Sequence, residues 1–205
     1  MKQFVIAGIG TEIGKTFISA ILTEALEADY WKPVQAGMPL DTDYISQHIS
    51  NTKTFCYPEG YRLKLPMSPH AAAATEGLRI DLETLKVPET ANHLIIELAG
   101  GIMVPLNSQQ LNTDLISMWG LPVILVSQNY LGSINHTLLS VTVLKQLGIR
   151  IAGIIFNGES NPATEEVILG FTGLKCIAKI PRMAEINKEV IKLLATQLKP
   201  QLIQI

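Results

Sequence analysis

The sequence predicts an α/β fold, a doubly wound and mostly parallel sheet in a single domain, and three observations carry that expectation. Apolar runs recur at residues 4–7, 30–34, 93–97, 122–127, 151–156 and 175–180. Most are continuous rather than alternating, the pattern of strands buried on both faces. Segments of helical period fill the intervals, at residues 15–26, 111–119, 134–147, 163–169 and 187–198, and strands that alternate with helices build a parallel sheet. The third observation is a glycine-rich turn at the end of the first run, at the strand end where such sheets collect ligands.

That first run, Phe4-Val5-Ile6-Ala7, leads into Gly8-Ile9-Gly10-Thr11-Glu12-Ile13-Gly14-Lys15-Thr16. The turn's backbone N–H groups can converge on an anion, and the following helix adds the positive end of its dipole. Lys15 is placed to reach terminal phosphates and Thr16 to offer a hydroxyl to Mg²⁺. Five residues rather than the usual four separate Gly8 from Gly14, so the general phosphate-loop pattern is only nearly met.

Lys32 interrupts the second run, Tyr30-Trp31-Lys32-Pro33-Val34. An ammonium there needs an anionic partner or an aqueous cleft, unless it snorkels from an edge strand. Asp41 and Asp43 follow, and one of them can supply a carboxylate to a metal; by itself, Asp-Thr-Asp is a turn or a helix N-cap. Residues 35–88 are the least regular, with Gly37, Pro39, Gly60, Pro66, Pro69 and Gly77, and an excursion of that length is more often functional than idle. Within it, Ser68-Pro69-His70 reads as a rigid turn, since residues so close in sequence rarely meet as a nucleophile and its base. Leu94-Ile95-Ile96-Glu97 is an apolar strand ending in a carboxylate before the flexible Ala99-Gly100-Gly101, which makes Glu97 the first choice for a Mg²⁺ contact. His136, on a helical segment, reads as a packed or interface histidine. Asn157 ends the fifth run; its amide can pair with an adenine edge, and Asn157-Gly158 is otherwise an ordinary turn.

With 205 residues, 47% of them apolar, the chain supports one substantial core and is short for two, so one domain over residues 1–205 is expected. Sixteen basic against 18 acidic residues, with no basic stripe, recruit neither nucleic acid nor an anionic membrane. The N-terminal apolar run is too short for a signal-peptide core, and no stretch approaches the ~18 apolar residues of a membrane helix. Cys56 and Cys176 stand far apart, without metal-ligand or redox-pair spacing, which fits a reduced, cytoplasmic compartment.

Together these segments resemble the dethiobiotin synthetase family, ATP-dependent enzymes of the P-loop NTPase fold that close the ureido ring in biotin biosynthesis. Four segments carry the likeness in the family's order: residues 10–16, Lys32-Pro33-Val34-Gln35, Ser68-Pro69-His70 with Glu76-Gly77, and Leu131-Gly132-Ser133-Ile134-Asn135-His136. Weaker echoes fall at residues 97–101, at Asn157 and at Ile180-Pro181, so the likeness spans nearly the whole chain and accounts for the five-residue spacing.

The resemblance implies a homodimer that uses ATP, Mg²⁺, 7,8-diaminononanoate and CO₂ or bicarbonate. One amine becomes a carbamate, its oxygen attacks the γ-phosphate, and the second amine closes on the mixed anhydride. Motif by motif it implies that Glu12, Ile13, Gly14, Lys15, Thr16 and Phe17 hold the phosphates, with Leu98, Ala99 and Gly100 beside the nucleotide. It implies Thr16, Asp43 and Glu97 on the metal, Lys32 and Lys15 as the catalytic lysines, and Asn157, Gly158, Pro181, Arg182 and Met183 around adenine. Three positions depart from the family: Gly10 replaces an acidic residue, Ala36 a Ser or Thr, and Leu98 a glycine, placing bulk where backbone normally approaches the ligand. Two rivals share the nucleotide chemistry, a partition-type switch ATPase and an ATP-dependent amidoligase. The switch ATPases carry an additional early lysine that residues 8–13 lack.

Overall fold

A computed structural model describes residues 1–205. Along the chain lie β1 (Gln3–Gly8), α1 (Lys15–Leu26), β2 (Asp29–Trp31), β3 (Val34–Ala36), α2 (Asp41–His48), β4 (Cys56–Tyr57), β5 (Tyr61–Leu63) and α3 (Pro69–Thr75). Then follow β6 (Leu94–Gly101), α4 (Asn112–Trp119), β7 (Val123–Gln128), α5 (Ser133–Gln146), β8 (Ile151–Asn157), α6 (Pro162–Thr172), β9 (Cys176–Ile180) and α7 (Lys188–Ile203). Seven strands form one parallel sheet in the order β4-β2-β6-β1-β7-β8-β9, so β1 is central and the order reverses beside it. The doubly wound expectation holds. No helix is long and apolar enough to cross a membrane.

Strand alternation divides the core into two layers. On one face Val5, Ala7, Leu94, Ile96 and Leu98 pack with Val123, Leu125 and helix residues such as Leu115 and Leu144. On the other, Phe4, Ile6, Tyr30 and Ile95 meet Ile18, Ile21 and Leu22 of α1 and Ile191 and Leu194 of α7. Each such valine, leucine or isoleucine stabilises the fold by about 1.5–3 kcal/mol on leaving water. The continuous apolar runs are therefore strands with a helix layer on each side.

The second run differs from its expectation. It is two short strands broken at Lys32-Pro33, because proline has no N–H to continue the ladder. The chain leaves the main sheet there, and Val34–Ala36 pairs in parallel with Tyr61–Leu63 as a separate two-stranded sheet. Ser68-Pro69-His70 also differs: Pro69 occupies the first turn of α3, where its missing N–H costs nothing, and Ser68 Oγ lies 2.8 Å from His70 Nδ1. Ser68 stands before the helix with extended backbone, ψ 135°, and from there its side chain meets the His70 ring.

Candidate active site

Gly14 ends the phosphate loop and caps α1 from a left-handed conformation, φ 84°, with no side chain bonded to the helix's first N–H groups. Those donors are left for an external acceptor. A Cβ at Gly14 would also collide with the Asn157 amide, whose Nδ2 donates to the Ile13 carbonyl at 2.8 Å. Asn157, at the end of β8, thus ties the loop to the neighbouring strand end. Glu12 also adopts positive φ, 58°, and lines the cleft with Thr11, Gly14 and Thr16. Lys15 Nζ folds back on the Gly10 carbonyl at 3.1 Å. Burial lowers its ammonium to about 8, with Lys32 adding to the effect and Glu97 and Asp41 opposing it.

Next to the loop lies a buried charge cluster. Alternation along β6 points Glu97 to the same face as Ile95, under the N-terminus of α1. Its Oε1 accepts from Thr16 Oγ1 at 2.8 Å and from Lys32 Nζ at 3.0 Å, and its Oε2 from Tyr30 OH at 2.9 Å. Lys32 is also ion-paired with Asp41. Gln35 bonds the Gly37 carbonyl and the Asp41 N–H, bracketing the loop that delivers Asp41 to the cluster. Burial pushes the Glu97 carboxyl up, but the charges of Lys32 and Lys15, with bonds from Lys32 and Thr16, outweigh it and leave the group below its usual range. Burial likewise lowers the Lys32 ammonium, and Glu97 and Asp41 outweigh that too, so Lys32 is held cationic. The cluster opens on a cleft of about 690 Å³ whose wall includes Ala36, Met38, Ser68 and Val104.

The other half of the site is more open. A cavity of about 820 Å³ lies beyond the ends of β8 and β9, lined by Gly158, Ile180, Pro181, Arg182 and Met183. Glu165 in its wall accepts from Asn129 Nδ2 at 2.8 Å, the Asn161 N–H at 2.9 Å and Ser160 Oγ at 3.1 Å, and pairs with Lys179 at 2.6 Å. Its carboxyl is lowered because those partners outweigh the opposing effect of burial.

The structure brings Lys15, Thr16, Lys32 and Glu97 together, and sets Asn157 between the phosphate loop and the cavity of residues 181–183. Two of the expectations need correction. Asp43 is exposed on the outer side of α2, away from the cluster, and Asp41 lines the cleft instead, because the first residue of α2 faces the cleft and the third does not. Leu98 is 1% exposed and belongs to the apolar layer opposite Glu97, so it adds no bulk to the cleft, whose wall is formed by Ala99 and Gly100. Phe17 packs its ring against the α1–α7 layer, leaving only its backbone near the loop. His136 is exposed and bonded to Tyr130 OH at 2.8 Å. Sequence reading missed Tyr30, Gln35 and Glu165 as site residues; alternation from Lys32 would have found Tyr30 two residues earlier on the same side.

A central strand, a phosphate loop and a strand-end carboxylate at the point where strand order reverses define a P-loop ATPase class of fold. Solved structures agree on that fold: a ParA family ATPase from Chlorobium tepidum matches with TM-score 0.64 at 14% identity, covering 99% of this chain and 96% of that one. The septum site-determining protein MinD complexed with Mg-ADP, from Pyrococcus horikoshii, matches with TM-score 0.59 at 16% identity, covering 97% and 89%. The AAA domain family model matches residues 2–190. The ATP-dependent dethiobiotin synthetase of Cytophaga hutchinsonii is 48% identical over 97% of this chain and 97% of its own length. That of Christiangramia forsetii is 46% identical over 100% of this chain and 99% of its own. The chain belongs to the ATP-dependent dethiobiotin synthetase family, ligases that form carbon–nitrogen bonds.

Proposed function

We propose that this chain, a single domain over residues 1–205, works as a homodimeric, cytoplasmic dethiobiotin synthetase that consumes ATP, CO₂ and 7,8-diaminononanoate with Mg²⁺. The observation that carries this reading is the Lys32–Glu97–Thr16 cluster, which places a cation, a carboxylate and a hydroxyl together beside a phosphate loop. Thr16, Asp41 and Glu97 offer only hard oxygen donors, which suits Mg²⁺, an ion that takes one or two carboxylates and completes its shell with phosphate and water. When bound, Mg²⁺ supplies charge neutralisation on the phosphate oxygens.

The chain's residues divide the remaining work. The free N–H groups of α1 and Lys15 hold the phosphates, and Asn157 keeps their loop in place. Lys32 presents its charge where the carbamate oxygen approaches the γ-phosphoryl group, stabilising negative charge during transfer. Gly158 and residues 181–183 line the space offered to adenine, and Asn157 directly precedes Gly158 at the end of β8. Positioning rather than covalent catalysis is what such a transfer demands.

Dimerisation is supported by apolar exposure around α5: Leu139 is 56% exposed and Leu131 fully so. Leu139 and Met103 line one hollow with Ile102 and Val143, an apolar surface of the kind that marks a contact between copies. Both cysteines are free, in keeping with a reducing compartment. The decisive experiment measures phosphate release from Mg·ATP. Diaminononanoate with bicarbonate is expected to stimulate it and yield dethiobiotin; stimulation by neither would overturn the reading.

A further inference from the structure

Tyr30 does not line the cleft, yet it makes the bond that fixes how Glu97 faces it. Of the chain's five tyrosines it is the one wholly removed from solvent, at 0% exposure. In the parallel pair of β2 and β6 it lies opposite Ile95, and Glu97 is two residues further on the same face. That diagonal is within reach of a long aromatic side chain. Its hydroxyl meets Glu97 Oε2 at 2.9 Å, while Oε1 accepts from the two cleft-lining groups, Thr16 and Lys32. A glutamate's last torsion is broad and roughly two-fold, so the carboxylate plane needs an external partner to hold one orientation.

We infer that Tyr30 is a positioning residue for the metal-binding carboxylate: by occupying Oε2 it commits Oε1 to the Mg²⁺ side of the cleft. The inference rests on the proposed role of Glu97. Tyr30→Phe removes only the hydroxyl from an apolar layer, leaving Oε2 buried without its donor. Without that donor, Oε2 competes for Thr16 and Lys32, and the plane turns.

The test uses the full chain loaded with ADP, titrated with Mg²⁺ by calorimetry. Tyr30→Phe is expected to weaken Mg²⁺ binding by about 10-fold or more, on the scale seen when a group supporting a metal ligand is lost. ADP affinity in EDTA, which reads the phosphate loop alone, is expected to stay within about 2-fold. In a Glu97→Gln background, Tyr30→Phe is expected to have no further effect on Mg²⁺ affinity, because the two act through one carboxylate. Unchanged Mg²⁺ affinity in Tyr30→Phe, an equal loss of ADP affinity in EDTA, or full additivity in the double variant overturns the inference. A wild-type protein whose diamine-dependent phosphate release needs no Mg²⁺ would instead overturn the metal reading on which it rests.

Discussion

Glu97 and Glu165 are both buried glutamates with several donors, and they are used in opposite ways. Glu165 sits at the sheet edge, and its partners Asn129, Ser160, Asn161 and Lys179 come from three successive strand-end segments. All that capacity goes into holding loops against one another. Glu97 lies at the centre, and two of its three donors, Thr16 and Lys32, themselves face the cleft. Its bonds are therefore exchangeable for ligand. Both sets of partners border open space, so the difference lies in what the donors do: those of Glu97 converge on the phosphate loop, and those of Glu165 tie together the strand ends that wall the outer cavity.

The largest expected effect falls on the central cluster. Lys32→Ala should lower turnover by about 10²-fold or more, the scale of losing a preorganised charge donor, while ATP affinity changes far less. Steady-state kinetics separates the two, and equal losses in kcat and ATP affinity would place Lys32 in nucleotide binding. Next comes the choice between neighbouring carboxylates. Asp41→Asn should raise the Mg²⁺ concentration for half-maximal activity by about 10-fold, whereas Asp43→Asn should leave it unchanged. The reverse result would return the metal to Asp43.

The edge carboxylate should respond differently. Glu165→Gln removes a charge-assisted anchor worth about 1.5–3 kcal/mol. It is expected to lower the melting temperature by several degrees and to raise the KM for ATP, with kcat nearly unchanged. A fall in kcat at saturating ATP would erase the contrast between the two glutamates.

The smallest effect is a pH dependence. In the free protein Lys15 loses its proton near pH 8, and bound phosphates favour the charged form, so nucleotide binding should take up a proton above that pH. ATP affinity should then decline as pH rises past 8, and calorimetry in buffers of different ionisation enthalpy detects the uptake. For folding the sign is opposite. The native ammonium is disfavoured relative to the unfolded one, so stability from this group alone rises between pH 8 and 10.5.

Much of this architecture was legible in the residues themselves. Continuous apolar runs announced strands covered on both sides, and Gly14-Lys15-Thr16 after such a run announced the phosphate loop. Lys32 was legible as a problem, a charge in an apolar strand, and the structure answers it with two carboxylates. Asp41 was not separable from Asp43, because which one faces the cleft depends on where α2 begins, and Gln35 sets that through its bond to the Asp41 N–H. Leu98 was misread because its position in the chain was weighed without the alternation that turns it away from Glu97. Tyr30 was within reach of the alternation that runs back from Lys32, but Glu165 gave no signal: a glutamate in a helix is ordinary until distant partners are known.

The two tryptophans of this chain are Trp31 and Trp119, and they form one pair, ring centroids 5.6 Å apart. Trp31 directly precedes Lys32 and anchors its indole N–H on the Pro58 carbonyl, and Trp119 anchors on that of Leu85. All indole emission therefore originates from a single place, one residue from the lysine at the centre of the cleft. The protein carries a built-in optical probe: any ligand that shifts the Lys32 backbone alters the spacing or tilt of the pair, and unlabelled material suffices to follow it in a stopped-flow fluorimeter.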